Sequence, residues 1–129
     1  MRIGELARRT GVSERALRYY EEQGLLRPER RASGYRVYHQ DDVRQVRHIR
    51  LLLAAGLNTG TIAEILPCML ADDDTLVPGC PEVAEILLQD RDRLSSAIEG
   101  LSAARRILDA IIAGGRTVDV SDPVGEAVG

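Results

Sequence analysis

"ALRYYEEQGLLRP", residues 16–28, sets two adjacent tyrosines among arginines and acids at helical spacing, then closes with a glycine and a proline. The whole sequence has four aromatic residues, Tyr19, Tyr20, Tyr35 and Tyr38, with no Phe or Trp. All four fall in the first third, so the core must be mainly aliphatic and the rings need another explanation. Upstream, "IGELARRTG" carries a helical apolar pattern at Ile3, Leu6 and Ala7 and breaks at Gly11, after which Ser13 can cap a second helix that ends before Gly24. Gly11 can adopt the left-handed turn conformation, Ala7 permits a close crossing, and Val12 and Leu17 can fill the angle between the helices. This is helix-turn-helix spacing. At about 100° per residue, Arg15, Arg18 and Tyr19 share one arc of the second helix, whereas Ala16, Leu17 and Tyr20 share the opposite arc. Tyr20 is therefore expected in the core with its hydroxyl bonded, and Tyr19 outside, where it can meet a phosphate or a base.

Beyond the second helix, "SG" at 33–34 is a turn signal and "YRVY" at 35–38 alternates as a strand does, so residues 30–38 read as a hairpin bearing Arg30, Arg31, Arg36 and Tyr38. A hairpin directly after a helix-turn-helix is a wing. Asp41 and Asp42 open a third helix with an apolar stripe at Val43, Val46, Ile49, Leu52 and Leu53 and a basic face at Arg44, Arg47 and Arg50; Gly56 ends it. A short fourth helix follows, capped near Asn58 or Thr59 and stopped by Pro67. "CMLADDDTLVPGCP", residues 68–81, reads as a loop by composition. Residues 82–113 form one long helical pattern, roughly 48 Å at 1.5 Å per residue, in which Leu87, Leu94, Leu101 and Leu108 recur every seven positions beside Val83, Ala97, Ala104 and Ile111. Asp90 and Gly100 interrupt a perfect zipper, yet the stripe needs a partner helix, and a second copy of the same helix supplies one. The tail, 114–129, lacks periodicity.

The net charge of −3 hides an asymmetry. Residues 1–50 hold twelve arginines against seven acids, +5, and residues 51–129 hold five against thirteen, −8. A basic first part suits a polyanion, and the acidic remainder has a different task. The longest apolar run, "LLLAAGL" at 51–57, is too short to span a bilayer, and the first residues lack the pattern of a signal peptide, so a cytoplasmic protein without a membrane partner is expected. No nucleophile beside a histidine, phosphate-binding glycine loop or paired carboxylates in a pocket points to catalysis, so an enzyme is not expected.

In "LRYYEEQGLLRP", "SGYRVYHQDDV", "RQVRHIRLLLAAGLNTGTIAEIL" and the long terminal helix, over roughly residues 1–113, the sequence resembles the MerR family of bacterial transcription regulators. The resemblance implies a mainly α fold: a winged helix-turn-helix domain at 1–67, a hinge and candidate effector loop at 68–81, a dimerisation helix at 82–113 forming an antiparallel coiled coil, and a flexible tail. It also implies a homodimer on double-stranded promoter DNA, with the second helix in the major groove and the wing on the backbone. Bending and untwisting an overlong promoter spacer would then serve RNA polymerase, with protein contacts offsetting a deformation cost of order 1–6 kcal/mol. By position, Arg15, Arg18 and Tyr19 match exposed recognition-helix residues, and Arg31, Arg36 and Tyr38 match the wing.

Signal recognition is less defined. Members with a multidrug pocket have an added domain, and iron-sulfur members have a tight cysteine cluster; neither is readable here. Cys80 stands where metal-sensing members carry a thiolate, but the stretch after the long helix has no Cys or His. The cofactor is unknown and none is required for DNA binding. Three alternatives stay open for Cys68 and Cys80: a metal site completed by an acid among Asp72, Asp73 and Asp74, a thiol switch closing the eleven-residue gap, or structural cysteines in a regulator that answers to a small molecule or to no effector, acting as an architectural factor. His39 and His48 read as surface or packing residues.

Overall fold

The computed structural model describes residues 1–72 and 75–114. Contacts divide the chain into two units, Met1–Ile86 and Leu87–Gly129. The first unit opens with α1 (Ile3–Thr10) and α2 (Glu14–Glu22). Gly11 ends α1 in the left-handed conformation, φ 72°, and its N–H returns to the Ala7 carbonyl. Two residues later the Ser13 hydroxyl accepts from the Ala16 N–H at 3.1 Å, so the stop of one helix and the cap of the next set the turn between them. At the far end of α2, the Leu25 N–H reaches the Tyr20 carbonyl at 2.8 Å, and Leu25 and Leu26 drop into the core.

Strands β1 (Glu29–Arg30) and β2 (Arg36–Val37) pair antiparallel, with Glu29 opposite Val37 and Arg30 opposite Arg36. The expected wing is present. It has one further partner that the sequence did not disclose. The Tyr38 N–H donates to the Met1 carbonyl at 2.7 Å, and the Met1 amino group donates to the Tyr38 carbonyl at 2.6 Å, which ties the entry of α1 to the wing. Helix α3 (Gln40–Ala54) begins one or two residues earlier than its acids suggest, because Asp42 reaches back to the His39 N–H at 2.8 Å. Its Val43, Val46, Ile49 and Leu52 are buried, and Arg44, Arg47 and Arg50 are exposed, as their spacing requires. Helix α4 (Thr59–Ile65) is capped by the Asn58 side chain, which accepts from the Thr61 N–H at 2.8 Å; one 3-10 turn, Leu66–Cys68, follows.

The core of this unit is aliphatic: Leu6, Leu17, Val46, Ile49, Ile62 and Ile65 are fully enclosed, joined by the rings of Tyr20 and Tyr38. His48 is buried with them, a packing residue as expected.

The stretch read as a loop contains a second hairpin. Strands β3 (Met69–Asp72) and β4 (Thr75–Pro78) pair antiparallel, from Met69 opposite Pro78 to Asp72 opposite Thr75. Prolines and consecutive aspartates obscured it, although "TLV" favours a strand. Pro78 is tolerated because it ends an edge strand, where a missing N–H breaks no ladder.

Helix α5 runs Pro81–Ile112, close to the expected 82–113, and its first turn buries Val83. From Leu87 onward it belongs to the second unit, where Leu94, Ile98, Leu101 and Leu108 are exposed and Leu87 is half-buried. Gly114 is a turn residue, and the remainder of the expected tail lies outside the described residues. No helix among the described residues is long and apolar enough to cross a membrane.

Candidate nucleic-acid interface and thiol pair

Helix α2 presents Arg15, Arg18 and Tyr19 outward, as the helical projection requires; Tyr19 is 45% exposed and Tyr20 only 7%. Arg18 pairs with Glu14 one turn earlier at 3.3 Å, with both side chains about half exposed, so the pair is a weak, solvent-screened restraint that a phosphate can displace. The wing is fastened more firmly. Glu21, in the last turn of α2, holds Arg36 Nε at 2.9 Å from Oε2 and 3.0 Å from Oε1, and Arg30 Nη2 at 3.2 Å. Its side chain is only 16% exposed against 40% and 56% for the two arginines, so one nearly enclosed carboxylate anchors two outward cations. Two cations on one anion leave a net positive edge, and the shared anchor sets the wing against the recognition helix.

A second cluster forms around Tyr35. The Arg2 guanidinium stacks 4.2 Å from the centre of its ring. Arg18 and Arg36 line one shallow groove with Arg2, Gly34 and Tyr35, and Arg31 joins Arg2, Tyr35 and Arg36 along a neighbouring one. Four arginines from α2, the wing and the residue before α1 thus line two grooves that share Tyr35, and one of them, Arg2, stacks on its ring. Arg2, Glu21 and Tyr35 escaped sequence reasoning because the pairing of Met1 with Tyr38 joins residues 37 positions apart. The one available signal was Tyr35 itself, exposed by its place beside the Ser33–Gly34 turn.

Tyr38 requires a correction. Its side chain is 1% exposed and its hydroxyl has no hydrogen-bond partner among the described residues, so it is a core residue and not a surface available to DNA. The strand delivers Arg36 outward and Tyr38 into the angle beneath α2. Burial, reinforced by the Glu21 carboxylate, pushes its phenol above the ordinary range and keeps it neutral.

The cysteines lie at the other hairpin. Cys68 is exposed and Cys80 half-buried, both as free thiols. The Cys68 thiol hydrogen-bonds Cys80, which raises its pKa and holds its proton. Of the three candidate aspartates, Asp72 stands apart from the thiols: its backbone pairs with Thr75 at the opposite end of the hairpin, four residues from Cys68 and roughly 13 Å away at 3.3 Å per residue. Asp73 and Asp74 lie outside the described residues. Among the described residues, no three His, Cys, Asp or Glu side chains gather as a metal site.

The comparisons with known proteins agree with this geometry. The model of the MerR HTH family regulatory protein matches residues 1–67. The HTH-type transcriptional regulator HmrR of Rhizobium leguminosarum bv. viciae is 32% identical over 112 residues, covering 87% of this chain and 84% of that protein. The mercuric resistance operon regulatory protein of Bacillus cereus is 32% identical over 108 residues, covering 83% and 79%. Among solved structures, HiNmlR, a MerR family regulator lacking the sensor domain and bound to promoter DNA, superposes with a TM-score of 0.58 at 22% identity over 87% of this chain and 86% of that one, a likeness of fold. A domain of helix-turn-helix and wing, with relatives of matching length that are regulators and not enzymes, makes this chain a member of the MerR family of transcriptional regulators.

Proposed function

We propose that the chain acts as a homodimer that grips promoter DNA through α2 and the wing, distorts the spacer between promoter elements, and changes initiation by RNA polymerase when a signal reaches Cys68 and Cys80. The observation that carries this reading is that Arg2, Arg18, Arg31 and Arg36 line two grooves sharing Tyr35, beside the outward Arg15 and Tyr19. Such a surface suits a duplex: guanidinium groups meet phosphates and guanine edges, and the stacked ring limits the conformations that Arg2 must give up on binding. The DNA-bound fold of HiNmlR supports the same assignment.

The leucine face of α5 supports the dimer. Leu94, Leu101 and Leu108 are 38%, 72% and 58% exposed in the single chain, and a second copy of the helix would remove them from water. Domain roles follow: residues 1–67 for DNA, 82–113 for dimerisation, and the intervening hairpin for the signal. A bacterial promoter-binding regulator works in the cytoplasm, and the name of the mercuric resistance operon regulatory protein of Bacillus cereus supports a soft metal ion as one candidate signal.

Replacing Arg18 by Ala tests the DNA surface. Operator affinity should fall about tenfold, and the slope of log K against log salt should shrink by about one unit if Arg18 neutralises a phosphate. A folded variant with unchanged affinity and slope would remove Arg18 from the interface.

A further inference from the structure

The β3–β4 hairpin carries its two cysteines at the open end. The ladder that pairs Met69 with Pro78 is extended by one more bond, from the Gly79 N–H to the Cys68 carbonyl at 2.6 Å. A Cβ at position 79 would overlap that carbonyl oxygen and crowd Leu70 Cγ at 3.1 Å, so only glycine lets the strand end approach this closely. The next residue is Cys80. Eleven residues separate it in sequence from Cys68, yet the two thiols are hydrogen-bonded neighbours. One is exposed and the other half-buried, so an oxidant has access. The donor set stops at two among the described residues, enough for a disulfide and short of the four that tetrahedral zinc takes.

We infer that Cys68 and Cys80 form a redox modification site, which a hydroperoxide closes into an intrachain disulfide that alters promoter output; the regulatory part rests on the proposed function above. Cys68 keeps its proton in the bond to Cys80, so the Cys80 sulfur is the attacking one. Its sulfur bonds the outer oxygen of ROOH, the O–O bond breaks, and ROH leaves with a proton. The Cys68 sulfur then attacks the sulfenic acid, the S–O bond breaks, and the Cys68 proton departs with hydroxide as water. Two thiols and ROOH become one disulfide, ROH and water. The bridge ties the 3-10 turn after α4 to the residue just before α5, at the point where α5 buries Val83 in its first turn. It therefore restricts the start of the long helix without requiring the domain to refold.

The test uses the full reduced chain and hydrogen peroxide. No Lys or Arg lies between Arg50 and Arg91, so unreduced trypsin digestion leaves both cysteines in one peptide, which the bridge lightens by two hydrogens. That species is expected, reversed by dithiothreitol, with at least a fivefold change in transcription from a promoter selected out of a random duplex pool. Cys68→Ser and Cys80→Ser should each abolish both responses. Gly79→Ala should slow closure at least tenfold while the reduced protein holds its promoter affinity within threefold. Unmodified thiols, sulfinic acid alone, bridges between chains, or a bridge without a transcription change would overturn the inference, as would one tightly held soft cation per chain that blocks oxidation. A reduced chain that forms the bridge but binds no promoter duplex would instead overturn the parent reading.

Discussion

The unit Met1–Ile86 and the helix beyond it use the same aliphatic residues in opposite ways. Among the described residues, every fully buried large apolar side chain precedes Leu87, whereas Leu88, Leu94, Ile98, Leu101, Leu108, Ile111 and Ile112 are 38% to 80% exposed. Helices α1, α2, α3 and α4 lie in one unit and can cover one another's apolar faces. A single 32-residue helix has no such recourse, because one face of an isolated cylinder cannot fold back on itself. The first unit buries its apolar side chains within itself; the second leaves its leucine face exposed, and the proposed dimer would cover it.

The largest effect expected from this contrast belongs to the double change Leu94→Asp with Leu101→Asp. Two buried charges facing their own copies should weaken dimerisation by at least about a thousandfold, given about 1.5–3 kcal/mol for each leucine burial lost. Sedimentation should then find monomers whose head still melts cooperatively. A dimer that persists would place the interface elsewhere. Next is Leu17→Ala, at a fully buried position in α2. Deleting its side chain should cost about 2–5 kcal/mol, read as a lower melting temperature of the head, while helicity in the long helix is retained. Loss of the two transitions together would mean the units do not differ as described.

The smallest effect sharpens the boundary between core and DNA surface. Tyr38→Phe removes a buried hydroxyl that has no partner among the described residues, so stability should be unchanged or higher by about 1 kcal/mol, and operator affinity should stay within about threefold. A tenfold loss of affinity would return Tyr38 to the interface. Its phenol, held above the ordinary range by burial, stays protonated at neutral pH, so the wild-type protein and the variant should bind DNA with the same pH profile up to about pH 9.

The parts of the fold legible in sequence were those determined within a turn or two of chain. Ser13 and Asn58 as caps, Gly11 and Gly56 as helix ends, and the outward face of Arg15, Arg18 and Tyr19 all follow from local geometry. The seven-residue recurrence of leucines was equally readable. What escaped depends on residues distant in sequence. Tyr38 looks like a wing residue until its strand is seen to pair with Met1 and turn the ring inward. Arg2 joins the basic surface only through that same pairing, and Glu21 becomes an anchor only when Arg30 and Arg36 come back to it. The second hairpin was hidden by residue types that also make loops, and its register decides that Cys68 meets Cys80 and stands apart from Asp72. Sequence offered Cys68 and Cys80 as a candidate pair and left their distance open.

The DNA-binding head is proposed to act in duplicate because the long helix needs a second copy. Native mass spectrometry of the full chain mixed with a selected promoter duplex tests both halves at once. The account predicts one duplex carrying two chains, with the free protein also dimeric and the Leu94→Asp, Leu101→Asp variant monomeric. A wild-type complex of one chain per duplex, or a free chain that stays monomeric at micromolar concentration, would contradict it.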